Sequence, residues 1–151
     1  MYPTLTAIQL AQLSGFSPII TTSSPRHKDA LTALGATHVI DRDLPDIPRV
    51  IQGIITGQHP QGGDLTNLMI VLDTVSSAET QRAAYSILSA GGLLVLVLPP
   101  VFEPAEGKYI DVVFGNAQIP QNRKSGAELF AKLEDWFGRG VLKVWITTIN
   151  L

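Results

Sequence analysis

With 151 residues the chain has the length of one domain, which buries about 70% of the surface its unfolded form exposes. Hydrophobic residues at 45% and charged residues at 16% exclude an intrinsically disordered chain. The 11 basic and 13 acidic residues are spread without a basic cluster, which excludes a phosphate-backbone binder and hence a nucleic-acid partner.

Cysteine is absent, so disulfides and thiolate zinc sites are excluded and a reducing, cytoplasmic setting is favoured. The start, Met1-Tyr2-Pro3-Thr4, lacks a basic segment followed by an apolar run, and no apolar stretch approaches about 18 residues, so no membrane association is expected.

In chain order, the spacing of Ala7, Ile8, Leu10 and Ala11 predicts a helix from Leu5 to Ser14, stopped by Gly15. Pro18 to Thr22 reads as a strand. Ser24 is placed to cap a helix with Pro25 in its first turn; Ala30, Leu31 and Leu34 form its face, and Gly35 ends it. A second strand covers Thr37 to Ile40. From Asp46 to Thr56, Ile47, Val50, Ile51, Ile54 and Ile55 recur at the interval that buries one helix face. The polar, glycine-rich stretch Gln58 to Asn67 reads as a loop.

Leu68 to Asp73 is an apolar run of the kind buried on both faces, which predicts a central strand. Ser76 and Glu79 form a capping box for a helix with Ala83, Ala84, Ile87 and Leu88 inward. Strand Leu93 to Leu98 follows Gly91-Gly92. After the Pro99-Pro100 break and a surface loop at Pro104 to Lys108 comes a strand, Tyr109 to Phe114. A last helix is expected to pack through Leu129, Phe130, Leu133, Trp136 and Phe137, and Val144-Trp145-Ile146 reads as a terminal strand or a packing segment. Alternating strands and helices without a linker or internal repeat predict one α/β domain with a mainly parallel sheet flanked by helices.

Ala7-Ile8-Gln9-Leu10-Ala11, Ser14-Gly15-Phe16, Ser24-Pro25-Arg26-His27, Leu34-Gly35-Ala36-Thr37, Leu72-Asp73-Thr74-Val75-Ser76 and Leu88-Ser89-Ala90-Gly91-Gly92 stand in an order that resembles the cofactor domain of medium-chain dehydrogenases/reductases. The resemblance covers residues 5 to 115 and is strongest to the fungal zinc-independent group with trans-acting enoyl reductases of polyketide pathways and quinone-reductase-like proteins. It implies an incomplete Rossmann-like domain spanning residues 1–151. In the family, a first strand and glycine-rich turn hold the NADPH pyrophosphate; here Met1 to Leu5 stand where that turn is expected. No G-x-G-x-x-G is present, so the first strand, the turn and the catalytic domain are expected to be missing.

The resemblance also implies a cofactor edge. An NAD-selective relative presents an acid after the second family strand, whereas this chain offers Thr22, Ser23, Ser24 and Arg26, a set suited to the 2′-phosphate of NADP(H). Asp73, Thr74, Val75, Leu98 and Pro99 follow strands at the edge that borders the nicotinamide half in relatives. Plainer readings stand beside these: a cap followed by solvated basic residues at Ser24-Arg26, and a turn-holding role for Asp73. No metal is expected, because His27, His38 and His59 lie on separate elements without H-E-x-x-H spacing. No G-x-S-x-G elbow supports a hydrolase. Trp136, Phe137 and Trp145 are expected in packing rather than in a ligand pocket.

Two functional expectations follow. One is a remnant or fragment of an NADPH-dependent enoyl reductase-like oxidoreductase, not redox-active alone, with a partner protein supplying the catalytic domain. The other is a non-redox pseudoenzyme that binds, isomerises or cyclises a polyketide-like small molecule, or serves as a dimeric scaffold. An exposed sheet edge is expected to form a homodimer, and in relatives strands near the position of Tyr109 to Phe114 join sheets across a dimer.

Overall fold

The computed structural model describes residues 2–57, 68–105, 107–116 and 118–143. In chain order these form helix α1 (Tyr2–Leu13), strand β1 (Ile20–Ser23), a 3-10 turn (Pro25–His27) running into α2 (Lys28–Ala33), β2 (His38–Asp41) and α3 (Ile47–Ile55). Next come β3 (Ile70–Asp73), α4 (Ala78–Ile87), β4 (Leu93–Leu96), β5 (Tyr109–Val112) and α5 (Pro120–Gly138). Every ladder is parallel: β1 pairs with β2, and β3-β4-β5 form a second sheet. Parallel neighbours cannot be joined by a tight turn; α2 makes the crossover from β1 to β2 and α4 that from β3 to β4, while β4 is followed by β5 without a described helix, and the result is the expected α/β, Rossmann-like arrangement.

Helix α1 begins at Tyr2, three residues before the expected Leu5. Pro3 is tolerated there because N–H groups of a first helical turn have no intrahelical acceptor. On the inner side of α1, Ile8 joins Leu31, Leu34 and Ala36 in one core cluster, with Leu5, Ile19 and Val39 against it. Gln9 is buried too: its Nε2 donates to the carbonyls of Leu5 and Lys143, and its Oε1 accepts from Lys143 N at 2.8 Å. One amide thereby clasps the backbone near the far end of the described chain to α1.

Ser24 takes the extended cap position, but its side chain makes no cap bond, so the ring of Pro25 carries the entry into the 3-10 turn. Gly35 ends the α2 unit at φ +112°, where an added Cβ would stand 2.6 Å from the Gln12 side chain. Helix α3 is as expected: Asp46 Oδ1 accepts from Arg49 N, and Ile51, Ile54 and Ile55 are buried with Ile40, flanked by Ile20, Ile47, Val50, Leu68 and Ile87. A third cluster, Leu88, Leu94 and Leu96, is lined by Val71, Ala84, Tyr85, Phe102 and Ile110.

Four expectations are corrected. Strand β3 is not central or buried on both faces: it is an edge of its sheet, and Ile70 and Leu72 are exposed, because no described strand pairs with its other side. The cap of α4 is Ser77, whose Oγ accepts from Thr80 N, because Ser76 is held in the preceding turn and so cannot enter the capping box with Glu79. Strand β4 stops at Leu96 rather than Leu98, since Val97 N turns to Ser76 Oγ. Finally, α5 buries no residue: of the expected stripe Leu129, Phe130 and Phe137 are exposed, and Leu133 and Trp136 are half-buried. The loop Gln58 to Asn67, with His59, and the segment Val144-Trp145-Ile146 lie outside the described residues.

Candidate functional site

In parallel sheets the turns after the strands collect at one edge, and the residues singled out in the sequence lie in those turns. On the first sheet, Thr22 and Ser23 close β1, Ser24 follows in extended conformation, and Arg26 lies in the exposed 3-10 turn. Arg26 Nε donates to His27 Nε2 at 3.2 Å. Its guanidinium has no carboxylate within ion-pair reach among the described residues, where the only ion pairs join Arg42 to Asp43 and Arg139 to Asp135.

The second sheet supplies a tightly wired pair of turns. Asp73 ends β3, buried, with Oδ1 accepting from Val75 N and Ser76 N and Oδ2 accepting from Thr80 Oγ1 at 2.7 Å. Both carboxylate oxygens are thus committed within the turn, which supports the turn-holding role. Ser76 sits at φ +54°, a left-handed conformation uncommon for a residue with a side chain. Its hydroxyl donates to Asp73 O and accepts from Val97 N, tying the end of β3 to that of β4.

Gln81 completes the wiring. Fully buried at 0% exposure, it donates from Nε2 to Ser76 O and Pro99 O, and its Oε1 accepts from Val101 N. The sequence reading missed this residue, although it lies three and seven positions before Ala84 and Leu88 and so falls on the same helical face. The network leaves Val75, Leu98 and Pro99 exposed at the rim, with Thr74 half-buried between β3 and α1.

The N-terminus of α1 reaches the same edge, where Thr4 Oγ1 and Thr74 Oγ1 are 3.3 Å apart. A helix start carries unpaired N–H groups and the positive end of the helix dipole, an arrangement that favours an anion. Thr4 is thereby brought beside Thr74, and the Ser76 and Gln81 bonds tie the Asp73 turn to Val97 and Pro99. The Thr22–Arg26 turn stands on the other sheet, and no hydrogen bond among the described residues links it to the Asp73 turn. No group of three His, Asp or Glu side chains among the described residues is arranged to hold a metal ion. Among those residues no helix is long and apolar enough to cross a membrane.

A family model described as zinc-binding dehydrogenase matches residues 4–119, from the start of α1 through β5. The chain belongs to this dehydrogenase family. Among relatives, the dual trans-enoyl reductase/FAD-dependent monooxygenase tazHJ of Aspergillus terreus is 41% identical over 106 residues, 68% of this chain but 14% of that protein. The chain therefore spans a small part of that relative's length.

Solved structures of the same fold include mycobacterial Rv1454c complexed with NADPH, at a TM-score of 0.71 and 22% identity, over 94% of this chain and 45% of that one. The nucleotide-binding subdomain of the enoylreductase domain of PpsC from Mycobacterium tuberculosis matches with a TM-score of 0.61 and 18% identity, covering 93% of this chain and 79% of that subdomain. The zinc in the family's description has no counterpart in a ligand cluster among the described residues.

Proposed function

We propose that this chain forms the NADPH-side domain of a trans-enoyl reductase-type oxidoreductase, binding the dinucleotide while turnover depends on segments that the longer relatives carry. The observation carrying this reading is the convergence of α1's start, the Thr74-Val75 turn and the Leu98-Pro99 turn at one edge of a dehydrogenase-family fold. Relatives and structural neighbours named as enoyl reductases, and a neighbour complexed with NADPH, support it.

The residues present fit the two ends of the cofactor. At the adenosine end, Ser23, Ser24 and an Arg26 without a carboxylate partner among the described residues suit a phosphate on the ribose, and residues 22–26 include no acid to reserve that place for a 2′-hydroxyl. At the other end, Val75, Leu98 and Pro99 offer an exposed apolar rim for the nicotinamide half. Between them, the first turn of α1 supplies the helix dipole; Pro3 removes one of its donors. NADPH would bring a transferable hydride; the chain's own part is to bind and orient it and to hold the two turns rigid through Asp73, Ser76 and Gln81.

The outer edge of β5 is assigned to a second copy of the chain, since Tyr109, Val113 and Phe114 are exposed along it. Light scattering across a dilution series tests this, and a monomeric mass at high concentration would refute it. The cofactor assignment is tested by calorimetric titration with NADPH and NADH. A charge-assisted phosphate contact contributes about 1.5–3 kcal/mol, so NADPH should bind roughly ten- to a hundredfold more tightly. Equal affinity for the two, or none for either, overturns it.

A further inference from the structure

The stretch Ser24-Pro25-Arg26-His27 holds a histidine to which the proposed cofactor site gives no role. His27 stands where the 3-10 turn runs into α2, at φ −98° and ψ 1°, in the sparsely populated region between helix and strand conformations. On a regular helix, adjacent side chains diverge by about 100° and do not face each other. The irregular step at His27 lets its ring meet Arg26, whose Nε donates to His27 Nε2 at 3.2 Å.

The two partners differ in freedom. His27 is half-buried, and its backbone N–H donates to Ser24 O at 3.0 Å, closing the turn that the ring of Pro25 begins. Arg26 is exposed and makes no ion pair among the described residues. The histidine is therefore the anchor, and the guanidinium is the group that is aimed. A guanidinium carries all its N–H donors in one plane. With Nε engaged by His27, the fork left open is the Nη1-Nη2 end, which can meet two oxygens of one phosphate.

The charge of the partner matters as much as its place. A ring that accepts at Nε2 carries its hydrogen at Nδ1 and no net charge. It orients the guanidinium without neutralising it, whereas a carboxylate in the same place would repel the phosphate that the arginine receives.

We infer that His27 is a positioning residue for recognition of the 2′-phosphate. As a neutral acceptor it holds the Arg26 guanidinium with its Nη1-Nη2 fork free for the phosphate, and so sets part of the preference for NADPH over NADH. The inference rests on the NADPH assignment made above.

Calorimetry on the full chain and its variants gives the ratio of the two dinucleotide affinities, in which a merely structural loss cancels. His27→Phe keeps a ring without the acceptor and should lower the preference for NADPH about three- to fivefold, the size of one net hydrogen bond. His27→Gln, whose Oε1 can stand in for Nε2, should restore the ratio to within about twofold of the native value. His27→Glu, of the same shape but charged, should lower it at least as far as His27→Phe does. In an Arg26→Ala chain, His27→Phe should lower it no further. Without any ligand, NMR relaxation should show the Arg26 Nε–H more ordered than that of exposed Arg49, a difference lost in His27→Phe.

No binding of either dinucleotide, or a ratio unchanged by Arg26→Ala, overturns the NADPH assignment and this inference with it. Where Arg26→Ala does lower the ratio, the inference alone is overturned by a His27→Phe ratio within about twofold of native, by equal ratios for His27→Gln and His27→Glu, or by an Arg26 Nε–H as mobile as that of Arg49.

Discussion

Replacing Gln81 by leucine isolates the wiring that joins the Asp73-Ser76 and Pro99-Val101 turns. The substitution keeps volume and helix propensity but removes three hydrogen bonds: to Ser76 O at 3.0 Å, to Pro99 O at 3.1 Å and from Val101 N at 2.9 Å. The losses are unequal. Pro99 and Val101 are exposed, so water can replace their partner, and each lost bond costs about 0.5–1 kcal/mol. Ser76 is buried at 4%, so its carbonyl is left without a partner, costing about 1–3 kcal/mol. The new apolar side chain offsets part of this, leaving a net loss of about 2–4 kcal/mol. For a chain of this size that lowers Tm by roughly 5–15 °C. Urea unfolding followed by circular dichroism, with a thermal scan, measures both. A loss below about 0.5 kcal/mol would refute the view that Gln81 is the buried tie between the two turns.

Three further outcomes follow from the same contacts. Ile54→Ala, at a fully buried site in the α3 cluster, should cost about 2–5 kcal/mol in urea unfolding, against a few tenths for alanine at exposed Gln52. Gly35→Ala should destabilise by more than about 1 kcal/mol, because φ is +112° and the new Cβ meets Gln12; Gln12→Ala in the same chain should recover only the steric part. Arg26→Ala should reduce the preference for NADPH over NADH about tenfold in calorimetry while leaving Tm within about 1 °C, since its side chain is exposed and makes no ion pair among the described residues.

Helices whose faces are set by local spacing were legible in the sequence. Ile47, Val50, Ile51, Ile54 and Ile55 define α3 by periodicity, and Asp46 caps it as a short polar residue at that place should. Burial that depends on distant partners was not legible. The apolar run of β3 states what the strand needs, not whether a neighbour is present, and the stripe of α5 likewise records a preference without naming what meets it. The cap of α4 shifted from Ser76 to Ser77 because Val97, twenty-one residues away, competes for the Ser76 hydroxyl. Strand ends pointed to the Asp73-Val75 and Leu98-Pro99 turns as candidates, whereas the Thr4–Thr74 and Gln81 contacts are long-range and emerge only from the folded chain.

The most direct test of the cofactor assignment is a chemical-shift map of isotopically labelled protein titrated with NADPH. The largest changes should fall on the amides of Ser23, Ser24 and Arg26 at one end and of Thr74, Val75 and Leu98 at the other, with Thr4 and Leu5 between them. Changes confined to the α5 face, or none at saturating NADPH, would contradict the proposed cofactor site.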